Sequence, residues 1–98
     1  MDKVTYPKVS FIIPTLNEEK NIARCLHAIR TQDYPQNNIE IIVADGGSTD
    51  KTIEIAKSFG AHIVKNIIKH QEPRKTMAAT HATGEILFYT DADNVLAH

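Results

Sequence analysis

Residues 39–60 read "IEIIVADGGSTDKTIEIAKSFG": a short apolar run that breaks at Asp45-Gly46-Gly47 and resumes as an amphipathic stretch stopped by Gly60. The apolar residues of "IEIIVAD" are nearly continuous rather than alternating, the pattern of a strand buried on both faces and hence of a parallel sheet. "STDKTIEIAKSFG" opens on Ser, Thr and Asp and ends on glycine, the chemistry of helix entry and exit. A strand running directly into a helix is half of a parallel crossover unit, so the flanking sequence decides whether the unit repeats.

It repeats on both sides. Upstream, "KVSFIIP" (8–14) is another buried strand, closed by Pro14. "LNEEKNIARCLHAIRTQDYP" (16–35) follows as a helix, with Asn17 placed to cap it and Glu18 and Glu19 in its first turn. Its apolar positions Ile22, Cys25, Leu26 and Ile29 fall at helical spacing, and the residue before Pro35 is pushed out of helical angles, so the helix frays at "TQDYP". Downstream come a weak third strand, "HIVKN", then a helix in "EPRKTMAATHATG", begun near Pro73 and ended by Gly84. The last strand is "EILFYTDAD", expected to be buried at the centre of the sheet. The order β-α-β-α-β-α-β predicts an α/β class chain, a Rossmann-like parallel sheet with helices on both faces.

With 98 residues there is room for one small domain. Eleven Lys+Arg against twelve Asp+Glu give a net charge of -1, so the chain lacks the basic footprint of a nucleic-acid binder and no nucleic acid is expected as a partner. No apolar run approaches the roughly 20 residues of a membrane-spanning helix. Cys25 is the single cysteine, placed on the apolar face of the first helix, where a thiol acts as a small hydrophobe. Nothing at the N-terminus reads as a signal segment, and a reducing, cytoplasmic setting follows as the expectation, with the cytoplasmic face of a membrane as its variant. His27, His62, His70, His81 and His98 have no zinc-type spacing.

In open parallel sheets ligands bind beyond the carboxyl ends of the strands. Polar residues collect there in this sequence: Pro14, Thr15 and Asn17 after the first strand, Asp45 with "GGSTD" after the second, Asp91, Asp93 and Asn94 after the fourth. Two uses stand for Asp45-Gly46-Gly47-Ser48: turn geometry and capping alone, or a backbone that a ligand approaches while Asp45 accepts a hydrogen bond. Asp91 and Asp93 are either a solvated loop or a pair converging on one hard cation, since Mg2+ and Mn2+ favour oxygen ligands with phosphate co-ligands.

The combination resembles the family 2 inverting glycosyltransferases of the GT-A nucleotide-sugar fold, from about Val9 to Leu96. "VSFIIPTLNEEKNIARCLHAI" looks like the family's first strand and helix, "IIVADGGSTDKT" like its second-strand motif, and "ATGEILFYTDADN" like the approach to its D-x-D metal site. The resemblance implies that Pro14, Thr15 and Asn17 border a nucleotide pocket and that Asp45 contacts the base. It further implies that Asp91 and Asp93 form the D-x-D, Asp93 holding a divalent cation (Mn2+ or Mg2+) on the diphosphate and Asp91 turned toward ribose or metal. Lys75, with Arg74 beside it, stands near the arginine that relatives carry in "ARN", so the resemblance implies a nucleotide-binding role toward the phosphates for Lys75 or Arg74, although "RKTMAA" departs from that wording.

By the same resemblance the donor is a nucleotide-diphosphate sugar, a UDP-sugar first and GDP-mannose next, transferred with inversion to an acceptor that the sequence does not identify. Inversion requires a carboxylate that removes the acceptor's proton. In the family it comes after the D-x-D, so it is expected beyond His98. Residues 1–98 are accordingly read as the N-terminal nucleotide-sugar-binding part of a glycosyltransferase domain without its acceptor-binding part, inactive in transfer by itself. The sheet edge and apolar helix faces that such a part leaves open favour self-association. A sugar-phosphate nucleotidylyltransferase would need a glycine-rich, arginine-containing loop where "PTLNEEKN" has neither. A receiver-type regulatory domain would need an acceptor aspartate at the end of "HIVKN".

Overall fold

The computed structural model describes residues 6–65 and 82–93. Four strands form one parallel sheet: β1 (Val9–Thr15), β2 (Ile39–Asp45), β3 (His62–Lys65) and β4 (Ile86–Tyr89), in the order β3-β2-β1-β4. Helix α1 (Ile22–Arg30), followed by a 3-10 turn at Gln36–Asn38, connects β1 to β2, and α2 (Thr52–Ser58) connects β2 to β3. The chain steps outward from β1 to β3 and then returns to the other side of β1 for β4. The strand order therefore reverses between β1 and β4, which is where open α/β sheets open a crevice.

The unbroken apolar runs have the expected consequence. Successive side chains of β1 point to opposite faces, and both faces are buried. Phe11 and Ile13 pack with Ile41 and Val43 against Ile22, Cys25, Leu26 and Ile29 of α1 and Ala56 of α2, while Ile12, Ile42, Ala44 and Val64 form a second cluster on the reverse face. Each fully buried aliphatic side chain here contributes about 1.5–3 kcal/mol relative to exposure. Both described helices lie on the first face. The helix expected over "EPRKTMAATHATG", with Arg74 and Lys75, falls largely outside the described residues, as do Asn94, His70, His81 and His98.

Both helices begin later than the sequence suggests. Asn17 does not cap α1: its φ is +54°, a left-handed angle that cannot enter a right-handed helix, and its side chain is used elsewhere. Glu18 and Glu19 precede the helix, whose first turn holds no acid; the carbonyl of Glu18 instead accepts from the amides of Asn21 and Ile22. In α2, Asp50 accepts from the Thr52 amide at 3.0 Å, and Ser48 and Thr49 are left for other work. The exit of α2 is as expected. Gly60 takes φ +79°, its amide donates to Lys57 O and that of Ala61 to Ala56 O, the paired bonds of a glycine-terminated helix.

β4 corrects a second expectation. Among the described residues it is an outer strand, not a central one, and Ile86, Leu87, Phe88 and Tyr89 are 42–46% exposed. An apolar run predicts burial, but among these residues only β1 lies beside it, with the ring of Phe88 set 5.2 Å from that of Phe11.

Candidate functional site

A cleft of about 340 Å3 opens at the reversal point, lined by Pro14, Thr15, Leu16, Glu18, Asp91, Ala92 and Asp93. It thus brings the end of β1 together with the residues after β4. Four of the residues singled out from sequence, Pro14, Thr15, Asp91 and Asp93, share it. Its floor holds Asp91 and Asp93 apart. Ala92 is 3% exposed and belongs to the α1 core, whereas Asp91 and Asp93 on either side of it are exposed. A small apolar residue sunk between two acids holds both at the cleft.

Cys25 lies beneath this floor. Its Sγ donates to the Asp91 carbonyl at 3.9 Å, linking α1 to the segment after β4. Burial, reinforced by the charges of Asp93 and Glu18, pushes its thiol up to about 11. The thiol therefore stays protonated near neutral pH and has the packing role expected of it.

Asp45 is not among the lining residues and reaches the cleft through Thr15. Thr15 and Asp45 are register partners at the strand ends, and Thr15 Oγ1 donates to Asp45 Oδ1 at 2.7 Å. The hydroxyl of Ser48 donates to the same oxygen, and the amides of Gly47 and Ser48 donate to Oδ2 at 3.0 and 2.7 Å. Burial acts to raise the Asp45 carboxyl, but these four bonds outweigh it and hold the group below its ordinary value. The carboxylate is 1% exposed and spends its acceptor capacity on its own loop. Asn17 ties that loop back to β1: its amide donates to Ser48 Oγ at 2.9 Å and its side-chain oxygen accepts from the Thr49 amide at 2.8 Å. Asn17 thus stands beside the cleft through its neighbours rather than among the lining residues.

Leu16, Glu18 and Ala92 line the cleft without having been singled out as site residues. The half-exposed Leu16 gives no sign in the sequence beyond its place between Thr15 and Asn17, and Glu18 reads as a helix-entry acid. Ala92 could have been found from the alternation within "DAD". Among the described residues no group of three or more His, Cys, Asp or Glu side chains could hold a metal ion. Asp91 and Asp93 fit a hard divalent cation only as a partial set of oxygen donors, of the kind that phosphate oxygens and water complete.

Comparison with known proteins agrees with this fold. The chain is 40% identical over 95 residues to glycosyltransferase AglE of Haloferax volcanii, covering 91% of this chain and 31% of that protein. It superimposes on the mannosyltransferase PcManGT from Pyrobaculum calidifontis, solved in complex with GDP-Man and Mn2+, with a TM-score of 0.87 and 32% identity, over 96% of this chain and 30% of the other. S. aureus TarS 1-349 in complex with UDP-GlcNAc matches with a TM-score of 0.81 and 30% identity, over 90% of this chain and 27% of that one. The chain spans less than a third of the length of each of these relatives. These matches give the sheet a GT-A-like architecture. The model for glycosyl transferase family 2 matches residues 10–98, and the chain belongs to that family.

Proposed function

We propose that the cleft between the ends of β1 and β4 binds the nucleoside diphosphate of a nucleotide-sugar donor, a UDP-sugar in the first instance, for metal-assisted transfer with inversion. One observation carries this reading. At the order reversal of the sheet, Pro14 and Thr15 face Asp91 and Asp93 across a single cleft. Asp91 and Asp93 would hold a Mn2+ or Mg2+ ion between themselves and the diphosphate, and a cation there stabilises charge that builds on a departing nucleoside diphosphate. Thr15 and Asn17 would shape the nucleotide side together with the loop that Asp45 organises. A contact from Asp45 to the base would require exchanging one of its four present donors.

Residues 1–98 are proposed as the donor-binding part of the domain. No general base is assigned among them, so binding without transfer is the expectation for this chain by itself. Its single, buried cysteine suits a reducing, cytoplasmic setting. The test is a thermal-shift panel of UDP, GDP, CDP and dTDP with and without Mn2+, because a ligand that binds only the folded state raises its stability. UDP with Mn2+ should give the largest shift, and a flat panel would remove the reading.

A further inference from the structure

At the opposite end of the sheet from the cleft, a polar cluster joins β1, β2 and the approach to β4. Ser10, fully buried, donates from Oγ to Glu40 Oε1 at 2.7 Å and accepts from the Gly84 amide at 2.9 Å. The same Glu40 oxygen accepts from the Thr83 amide at 2.9 Å and from Thr83 Oγ1 at 3.3 Å, while Lys8 Nζ donates to the Thr83 hydroxyl. The amides of Glu85 and Ile86 then donate to the carbonyl of Lys8 at 2.8 and 3.1 Å. Residues 83–86 are thereby fastened to β1 and, through Glu40, to β2 where β4 begins.

We propose that Glu40 is a positioning residue for Asp91 and Asp93, fixing through Thr83 and Gly84 the register in which β4 delivers those carboxylates to the cleft. Strand register is normally set by which side chains are buried, and it is weakly set where neither face is. β4 is only part-covered among the described residues, its four side chains 42–46% exposed, and firm burial resumes at Thr90 and Ala92 beyond its end. Its register, Ile86 on Val9 through Tyr89 on Ile12, is held at the far end by the burial of Thr90 and Ala92 and at the near end by the bonds of residues 83–86. A slip of one residue would carry Asp91 and Asp93 about 3.3 Å along the strand and turn every β4 side chain to the other face. Ala92 would leave its pocket in the α1 core and the two acids would no longer flank it. Burial within the cluster raises the Glu40 carboxyl, but the bonds from Thr83 and Ser10 and the charge of Lys8 hold it below its ordinary value, so the acceptor remains ionised.

The inference rests on the donor-binding reading above, and the experiment separates the two. Wild type, Glu40→Ala and Glu40→Gln are titrated by calorimetry with UDP and GDP in the presence of Mn2+, and with uridine and guanosine without metal. Amide hydrogen exchange is followed at Ile86 and Thr90, whose amides donate to Lys8 O and Ile12 O. Glu40→Ala should weaken the Mn2+-dependent diphosphate binding by about tenfold or more, the scale seen when groups that orient metal ligands are removed. Nucleoside binding should be unchanged, exchange at Ile86 and Thr90 faster, and Glu40→Gln, which keeps an acceptor oxygen, should restore most of both. Equal losses for nucleoside and diphosphate would mean general destabilisation and overturn the proposal, as would unaltered exchange at the two amides or a Gln variant as impaired as Ala. If wild type binds neither diphosphate, the donor-binding reading falls and takes the positioning role with it.

Discussion

Thr15 and Asp45 end β1 and β2 side by side, and the hydroxyl of the first is bonded at 2.7 Å to the carboxylate of the second, with 2% and 1% of their surfaces exposed. The bond joins the strand that lines the cleft to the loop that follows the second strand. It makes Asp45 a structural centre: one carboxylate fixes the Thr15 hydroxyl, the Ser48 hydroxyl and two loop amides together.

Replacing Asp45 by alanine should therefore disturb both stability and nucleotide binding. The substitution leaves the buried Thr15 hydroxyl and the loop amides without their acceptor, which costs on the order of 1–3 kcal/mol. If the loop serves the nucleoside, as proposed, uridine and UDP should lose affinity in equal proportion. Denaturant titration and calorimetry check the two effects. A loss confined to the diphosphate would move Asp45 to the metal side of the site.

The same carboxylate predicts an acid limit to stability. Its native pKa lies below its ordinary value of 3.8, so the unfolded chain binds the proton more readily than the native one. The stabilisation is thus fully present above the ordinary carboxylate range and is lost as pH falls through 3.8 toward the lower native value. Unfolding midpoints measured between pH 6 and pH 2, at about half-unit steps, should fall more steeply in wild type than in Asp45→Asn, which has no carboxylate to protonate there. Parallel curves would show that Asp45 does not govern the acid limb.

Asp93→Ala should abolish the metal-dependent part of diphosphate binding and leave nucleoside binding intact, since Asp93 lines the cleft and the Asp45 loop does not. Titration of UDP with and without Mn2+ reads this directly. If Mn2+ strengthens UDP binding to the variant as much as to wild type, Asp93 is no ligand.

Much of this architecture is legible in the sequence because burial on two faces leaves an unmistakable pattern: "SFIIP" and "EIIVA" read as parallel strands and are. Helix entries differ from the sequence pattern for a physical reason. Asn17, Ser48 and Thr49 have the side chains that cap helices, yet here they bond one another across the two loops. Only the fold brings those loops together, and local sequence cannot register a competing partner some 30 residues away. Apolar content misled at β4 because a run of strand formers states a preference for pairing, while burial depends on what lies alongside. The partners of Glu40 were invisible for the same reason, as Ser10 and Thr83 come to it only through strand register.

Gly84 gives the sharpest test of how tightly β4 is joined to β1. A Cβ at this position would fall 2.5 Å from Ser10 Oγ, 2.8 Å from the backbone nitrogen of Ser10 and 3.0 Å from the Lys8 carbonyl. Two of those atoms are backbone within or beside a paired strand, so the clash is relieved only by moving residues 83–86 away from β1. That movement weakens the bonds from Glu85 and Ile86 to Lys8 O and loosens the hold of Ser10 on the Gly84 amide. Gly84→Ala should cost about 1–3 kcal/mol, the range for atoms forced into packed space. It should also reduce Mn2+-dependent UDP binding more than uridine binding, because the disturbance travels along β4 to Asp91 and Asp93 and not along β2 to Asp45. Adding Ser10→Ala removes the hydroxyl but not the backbone contact at 2.8 Å, so the double variant should remain impaired. Full recovery of stability in the double variant would show that the hydroxyl alone sets the spacing of the two strands.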